Sequence, residues 1–126
     1  MRDFERVFTN VNLKLKYFPR SDLLYSIKGD ANLAQKKFVV AIEDYKVALT
    51  LNPDSPEIYY NQGLAFQYLG KLSEARKCYE AAIKSKPDYS KAFNNMGMIY
   101  QTEKNFKKAL YCYKNAIEFN PNDATT

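Results

Sequence analysis

Few residues of this 126-residue chain have side chains that could carry out catalysis. Histidine, the commonest acid–base catalyst at neutral pH, is absent, and two cysteines, Cys78 and Cys112, cannot hold a structural zinc ion by themselves. The sequence also lacks a glycine-rich phosphate loop and a nucleophile elbow. We therefore predict that this chain is not an enzyme and needs no cofactor or metal. A catalytic domain elsewhere in a longer polypeptide is left open.

The net charge of +5 at pH 7 raises the question of nucleic-acid binding. Lysines and arginines are spread along the chain, no run reaches five basic residues, and acids such as Glu43, Glu74 and Glu118 lie among them. This distribution is typical of a solvated polar surface, so we predict no nucleic-acid partner. The apolar runs are far shorter than the roughly 20 residues that span a bilayer, and the first residues form no signal segment. We expect an intracellular, cytoplasmic protein that does not enter membranes.

A spacing of 34 residues organises the chain. The middle copy carries Tyr59, Gly63, Phe66, Leu72, Ala75, Tyr79, Ala82 and Pro87. The later copy carries Phe93, Gly97, Tyr100, Phe106, Ala109, Tyr113, Ala116 and Pro121, and the earlier one Tyr25, Gly29, Asn32, Phe38, Ala41, Tyr45, Ala48 and Pro53. Six of these eight columns are identical or aromatic in all three copies. A fixed period of this length indicates stacked copies of one supersecondary unit.

Each copy divides into two helices. In the middle copy Ser55 is a suitable N-cap, Pro56 fits the first helical position, and Gly70 suits the residue after the helix. A second helix then ends before Pro87, which cannot continue it. The short connections force antiparallel pairs. Applied to all three copies, the register predicts helices over residues 22–35, 38–51, 56–69, 72–85, 90–103 and 106–119.

The small residues predict close packing between helices. A glycine inside a helix costs about 1 kcal/mol relative to alanine, so the glycine at a fixed phase needs a reason. We predict that Gly63 lies opposite Ala75, where the two helices of a pair approach closely, and that Ala82 leaves room for the next copy. Cys78 and Cys112 hold equivalent positions in successive copies, roughly 10 Å apart in stacked helices, so we predict free thiols.

The corners inside the helix pairs differ in sequence. Only one of them contains glycine, the residue that most easily adopts a left-handed backbone. We therefore expect the two corners without glycine to close differently. The three corners are Lys36-Lys37, Gly70-Lys71 and Lys104-Asn105.

Residues 1–21 are predicted to form a degenerate half-repeat. Pro19 lies 34 residues before Pro53, and apolar residues recur at helical spacing, which favours one amphipathic helix. Residues 11–17, however, alternate strictly between apolar and polar, so a strand is the competing interpretation. The predicted apolar stripe consists of Phe4, Val7, Phe8, Val11, Leu15 and Phe18.

These residues resemble the tetratricopeptide repeat, a 34-residue helix–turn–helix unit with this order of aromatic, glycine, alanine and proline positions. The resemblance covers three repeats, at 22–55, 56–89 and 90–123, preceded by the half-repeat at 1–21 and followed by a tail at 124–126 without a capping helix. It implies an all-α, right-handed superhelix of antiparallel helix pairs. The first copy departs most from the pattern, because Lys28 and Asn32 stand where apolar residues are usual.

The resemblance also implies a concave groove lined by the first helix of each repeat, where a peptide or partner protein binds. Carried over by position, the groove residues that we single out are Asp30, Leu33, Glu57, Tyr60, Asn61, Leu64, Gln67, Tyr68, Lys91, Asn94, Asn95, Met98 and Gln101, with Leu23, Ser26 and Thr102 at flanking positions. Apolar members would anchor the partner, and Asn61 and Asn95 would bond its backbone.

The function that follows is a non-catalytic interaction module for a protein or peptide partner, part of a larger scaffold or co-factor protein. The alternative is the docking arm of a larger enzyme, because a ladder of asparagines at this phase resembles the superhelix attached to the O-linked N-acetylglucosamine transferase. An RNA-binding helical array would need a basic groove, whereas Asp30 and Glu57 accompany Lys91 here.

A co-chaperone role is disfavoured by particular positions. Relatives that hold the C-terminal carboxylate of heat-shock chaperones use two lysines, two asparagines and an arginine. Asn61 and Lys91 match that clamp, but Ser26, Asp30 and Asn95 do not, and Asp30 would repel a carboxylate. We predict no strong binding of chaperone tails.

The last predicted helix lacks a following partner. Its apolar stripe of Leu110, Tyr113 and Ile117 would be partly exposed, which suggests either a piece of a longer protein or self-association through uncapped ends. The two interpretations stay open at this point.

Overall fold

A computed structural model describes residues 2–120, and over that range the chain is helical without strands. The predictions for Pro121 and for the tail at 124–126 concern positions outside the described residues. None of the described helices is both long and apolar enough to cross a membrane. The seven helices within residues 2–120 are α1 Arg2–Tyr17, α2 Asp22–Ala34, α3 Phe38–Leu51, α4 Pro56–Tyr68, α5 Leu72–Ser85, α6 Ser90–Thr102 and α7 Phe106–Phe119. The predicted all-α architecture of helix pairs is confirmed.

Helix α1 settles the choice between helix and strand for the N-terminal segment, since residues 11–17 are helical and the strand interpretation is wrong. Val11 is its buried contact with the rest of the chain, at 4% exposure. Val11 occupies the column that holds Tyr45 in the first full copy. Phe18 does not belong to the buried stripe, because the helix ends at Tyr17 and Phe18 is 62% exposed.

The remaining helices form three pairs, α2 with α3, α4 with α5, and α6 with α7. Ser55 caps α4 as predicted, since its side chain accepts a hydrogen bond from the Ile58 amide at 3.4 Å. Ser21 caps α2 in the same way and accepts one from the Leu24 amide at 3.2 Å. Helix α6 begins after Tyr89, which makes no side-chain cap bond. Each cap satisfies one of the amide groups that a helix leaves without a partner at its N-terminus.

The core runs between the pairs and is built mainly from small residues and tyrosines. Alanines of the second helices are almost fully buried, which lets neighbouring helices approach closely. Buried Ile58, Phe93, Met96 and Ile99 of the first helices fill the space between them. The buried alanines of the second helices are Ala41, Ala48, Ala75, Ala82, Ala109 and Ala116.

The glycine of each first helix faces a tyrosine ring rather than an alanine. A Cβ added to Gly63 would lie 2.6 Å from Cε1 of Tyr79, and the equivalent distance is 2.6 Å for Gly29 to Tyr45 and 2.7 Å for Gly97. The prediction that Gly63 permits close packing is right in effect, but its partner is Tyr79 and not Ala75. The ring occupies the volume that any side chain at this position would need.

The corners correct a second expectation, because all three close in the same way. Gly70 has φ +77°, and the residues in its place in the other repeats, Lys36 and Lys104, have φ of 63° and 62°. In each corner this residue's amide bonds a carbonyl three residues back, as Gly70 does to Gln67 at 3.0 Å. Lysine therefore adopts the left-handed conformation that glycine adopts in the middle repeat. The turn is imposed by the packing of the pair and overrides the local preference of lysine.

Asn32, which departs from the repeat pattern, has a buried partner. It is 3% exposed, and its side-chain amide donates to the Asp44 carboxylate at 2.6 Å. Burial raises the pKa of the Asp44 carboxyl above its ordinary value, while the bond from Asn32 and the charge of Lys28 oppose the shift. Both positions of this pair differ in the second repeat, where Phe66 stands in place of Asn32 and Cys78 in place of Asp44. A polar pair thus replaces an apolar one at the same place.

The prediction of free thiols is confirmed, since Cys78 and Cys112 are both free and buried. The Cys78 thiol lies 3.3 Å from the Gln62 side-chain oxygen. Burial raises the pKa of Cys78 to about 12, so the thiol stays protonated at neutral pH and is a poor nucleophile.

We predict that Gly63→Ala lowers the free energy of unfolding by about 1–2 kcal/mol, because the new methyl group overlaps the Tyr79 ring and this outweighs the better helix propensity of alanine. Urea unfolding followed by circular dichroism measures the change. In a Tyr79→Leu background the same substitution should cost less or become stabilising. An equal cost in both backgrounds would show that the ring is not the obstacle.

We also predict that Lys104→Gly raises the free energy of unfolding by about 1 kcal/mol, since it removes a side chain from a left-handed residue. Lys114→Gly is the matched control, because it makes the same change inside α7 and should cost about 1 kcal/mol. Thermal and urea unfolding of the two variants give the comparison. If both substitutions destabilise the protein equally, the left-handed corner is not strained.

Candidate functional site

The first helices α2, α4 and α6 carry all the residues that the sequence assigns to the groove, but they differ in accessibility. We call this face the groove. Exposed members can meet a ligand directly, whereas buried ones act through the scaffold. The exposed ones are Asp30, Glu57, Tyr68, Lys91, Asn94, Met98 and Gln101; Leu33, Tyr60, Asn61, Leu64 and Gln67 are half-buried, and Asn95 is buried.

A pocket of about 700 Å³ opens in the groove between α2 and α4. It brings together five of the predicted residues and adds Ala34, Lys36 and Phe38, which the sequence reasoning missed. The missed residues lie at the last position of α2, in the following corner and at the first position of α3, so a prediction restricted to the faces of first helices did not include them. No local sequence signal marks this corner, since lysine rarely adopts the left-handed backbone that Lys36 has. The predicted residues in the pocket are Asp30, Leu33, Asn61, Leu64 and Tyr68.

A tyrosine of each second helix reaches through its pair and donates its hydroxyl proton to a groove residue. Tyr79 donates to Gln67 at 2.7 Å, and Tyr113 donates to Gln101 at 2.8 Å. In the first repeat the column of Gln67 holds Leu33, which cannot accept a hydrogen bond. There the tyrosine is Tyr45, and its hydroxyl donates instead to the Asp30 carboxylate at 2.5 Å.

Two asparagines join consecutive repeats along the groove. The Asn61 side-chain amide donates to Asp30 Oδ1 at 3.2 Å, and that of Asn95 donates to the Tyr79 and Tyr60 hydroxyls at 3.1 and 3.4 Å. These nitrogen atoms are therefore engaged with the preceding repeat. The expectation that both asparagines bond the backbone of a ligand has to allow for these hydrogen bonds, which already use the side-chain nitrogen atoms. Their role in binding stays a prediction.

An aromatic cluster lies at the opposite end of the first helices, where α4 and α6 meet. The Tyr60 ring packs against Tyr79 and Tyr89, with centroids 5.6 and 5.4 Å apart. Burial raises the pKa of Tyr89 to about 12, and the charge of Glu57 adds to the rise. Lys86 lies over the outer face of this cluster, 5.0 Å from the Tyr89 centroid. Tyr60 is thus partly a structural residue.

The charges of the groove are sparse and of both signs. Although Asp30 as a whole residue is exposed, its carboxylate is partly shielded from water, and this desolvation raises its pKa above the ordinary value. The hydrogen bonds from Tyr45 and Asn61 oppose that shift without cancelling it. Glu57 and Lys91 are exposed at the N-terminal ends of α4 and α6. A continuous basic surface is not present along the described part of this face.

A second cavity, of about 600 Å³, lies on the outer face between α3 and α5. Its floor includes Ile42, Phe66 and Cys78, and charged side chains surround it. It is a competing location for a partner, and any test of the groove must distinguish the two. The charged residues at its edge are Glu43, Lys46, Lys71, Glu74 and Lys77.

Comparison with known proteins identifies the repeats. A model of the tetratricopeptide repeat matches residues 56–89 and 90–123, and a second model, described as TPR repeat, matches residues 29–70. Tetratricopeptide repeat protein 28 of Mus musculus is 34% identical over 73 residues, which is 58% of this chain, and the Homo sapiens protein matches equally. The match spans 3% of the length of these curated relatives.

Solved structures agree in fold. A crystal structure of MamA has a TM-score of 0.78 and 28% identity, covering 84% of this chain and 62% of that one. The first TPR of Spaghetti (RPAP3) bound to HSP90 peptide SRMEEVD has a TM-score of 0.78 and 25% identity, covering 82% and 84%. MamA from Desulfovibrio magneticus RS-1, at 21% identity, has a TM-score of 0.85, covering 94% and 67%. The predicted right-handed superhelix of antiparallel helix pairs is thereby confirmed, and the chain belongs to the tetratricopeptide repeat family.

Proposed function

We propose that this chain is a non-catalytic interaction module that binds an extended or helical segment of a partner protein in its groove. The observation that carries the proposal is the open pocket between α2 and α4, where apolar side chains surround a carboxylate and an amide. Such a mixture suits a peptide, since apolar anchors provide binding energy and a few polar groups fix its orientation. A docking arm of a larger enzyme, the alternative prediction, would use the same groove.

The similarity to the first TPR of RPAP3 supports the binding of a peptide, because that domain was solved with the HSP90 peptide SRMEEVD bound. The intracellular setting expected from the sequence stays a prediction, as does self-association through α7. On that helix Leu110 and Ile117 are 56% and 52% exposed, while Tyr113 is half-buried.

The contacts within the groove decide which residues should report on binding. Gln67 and Asn95 hold the hydroxyl of Tyr79, so replacing them would disturb the scaffold together with any ligand contact. Tyr68 and Met98 are 67% and 45% exposed and can be changed with less effect on the core. Substitution of these two residues therefore separates binding from folding better than substitution of the asparagines.

We predict that Tyr68→Ala reduces partner capture from a cell lysate at least fivefold, because it removes an exposed aromatic anchor from the pocket. Tyr111→Ala is the matched control: Tyr111 is the same residue type, 64% exposed, on the second helix α7. Quantitative mass spectrometry of captured proteins measures the effect, and circular dichroism checks that both variants keep their helical content. Loss of capture with Tyr111→Ala but not with Tyr68→Ala would place the interaction on the outer face.

We further predict that peptides ending in EEVD bind this chain with an affinity weaker than low micromolar. Ser26 offers no positive charge where the clamp has a lysine, and Asp30 adds a negative charge beside the expected carboxylate. Fluorescence anisotropy with a labelled SRMEEVD peptide measures the affinity. The double variant Ser26→Lys/Asp30→Asn should bind more tightly than the wild type. Low-micromolar binding by the wild type that is lost on Lys91→Ala would contradict this prediction.

A further inference from the structure

The pocket between α2 and α4 contains a carboxylate that the rest of the groove does not repeat. Asp30 occupies the column held by Leu64 in the second repeat and by Met98 in the third. The pocket around Asp30 is otherwise mainly apolar, with Leu33, Leu64 and two aromatic rings in its lining. One anionic group in an apolar pocket suits a ligand with one positive charge and an apolar stem.

The hydrogen bonds to Asp30 leave part of its carboxylate free. Tyr45 and Asn61 both donate to Oδ1, at 2.5 and 3.2 Å, and within residues 2–120 no protein group donates to Oδ2. Lys36 also lines the pocket, but it forms no ion pair with Asp30 among the described residues. The desolvation that raises the pKa of Asp30 is therefore only partly compensated by the protein itself. A cation from a partner would complete the compensation.

One wall of the pocket is a pair of stacked rings. The Phe38 and Tyr68 centroids are 5.1 Å apart with an interplanar angle of 15°, and Tyr68 is 67% exposed. A planar guanidinium group stacks on such a ring and can donate to a carboxylate at its edge. A lysine ammonium lacks the planar surface, so the geometry favours arginine.

We propose that this pocket binds an arginine side chain of the partner segment, with its guanidinium between Asp30 and the Tyr68 ring and its aliphatic stem against Leu33 and Leu64. The proposal rests on the proposed function, since it names the chemistry of the peptide that occupies the groove. Lys36, at the corner, places a positive charge beside the same pocket, so an acidic residue next to the arginine would be tolerated better than a second basic one.

The test uses four short peptides that differ in one residue: Ac-Gly-Leu-Arg-Leu-Gly-NH2 and its counterparts with lysine, citrulline or glutamate at the centre. Citrulline keeps the shape of arginine and removes its charge. Each peptide is titrated into the ¹⁵N-labelled chain, and amide chemical shifts are followed. We expect saturable shifts centred on residues 30–38 and 61–68 with the arginine peptide, and at least fivefold weaker binding of the citrulline and glutamate peptides.

Two charge-removing variants make the result specific. Asp30→Asn should weaken binding of the arginine peptide about fivefold or more and leave binding of the citrulline peptide unchanged. The fold should be kept, because asparagine can still accept the hydrogen bond from the Tyr45 hydroxyl. Glu80→Gln removes the same charge from an exposed residue of α5 that belongs to neither the groove nor the pocket, and it should change neither affinity by more than about twofold. Circular dichroism verifies that both variants remain folded.

The outcomes separate this inference from the proposed function. Equal binding of the arginine and citrulline peptides in the pocket, or equal loss with Asp30→Asn and Glu80→Gln, overturns the arginine assignment while the groove still binds peptide. Tighter binding of the glutamate peptide overturns it as well and assigns Lys36 as the determinant. Shifts confined to the outer cavity between α3 and α5 overturn both proposals.

Discussion

The tyrosine in the middle of each second helix connects the packing of a repeat with the chemistry of its groove. Its ring occupies the space beside a glycine, as Tyr79 does over Gly63, and its hydroxyl then emerges among the groove residues. Any side chain at this first-helix position would overlap the ring, so the tyrosine can reach the groove only where the chain has glycine. The glycine position of the scaffold therefore limits which groove residues can form a hydrogen bond with the tyrosine hydroxyl.

The same hydroxyl connects neighbouring repeats. Tyr79 donates to Gln67 of its own repeat and accepts from Asn95 of the next one, so a single oxygen atom helps to fix the relation of two repeats. At the outer edge of the same junction Arg76 pairs with Glu103 at 2.6 Å, but that pair is partly exposed to solvent and contributes less. We therefore expect the buried asparagine to contribute more than the surface ion pair to the stability of this junction.

Much of the fold could be predicted from the sequence because its signals are periodic. The columns of Gly63, Tyr79 and Ala82 recur every 34 residues, and the predicted helices agree with the observed ones to within a residue at most ends. The corners could not be predicted from local preference, since Lys36 and Lys104 adopt a left-handed backbone that lysine avoids in isolation. The pocket was only partly predictable, because its lining includes corner residues and depends on which atoms the scaffold already uses.

The departures of the first repeat from the common pattern fall into two physical kinds. Asn32 and Asp44 compensate each other inside the core, where an unpaired polar group would be costly, so neither needs a ligand to explain it. Asp30 is different, because Tyr45 and Asn61 satisfy only one of its oxygen atoms and the other remains beside an open pocket. A polar residue whose hydrogen bonds are all made within the scaffold contributes to stability. A polar residue at the surface whose hydrogen bonds are only partly made within the scaffold can receive the missing one from a partner.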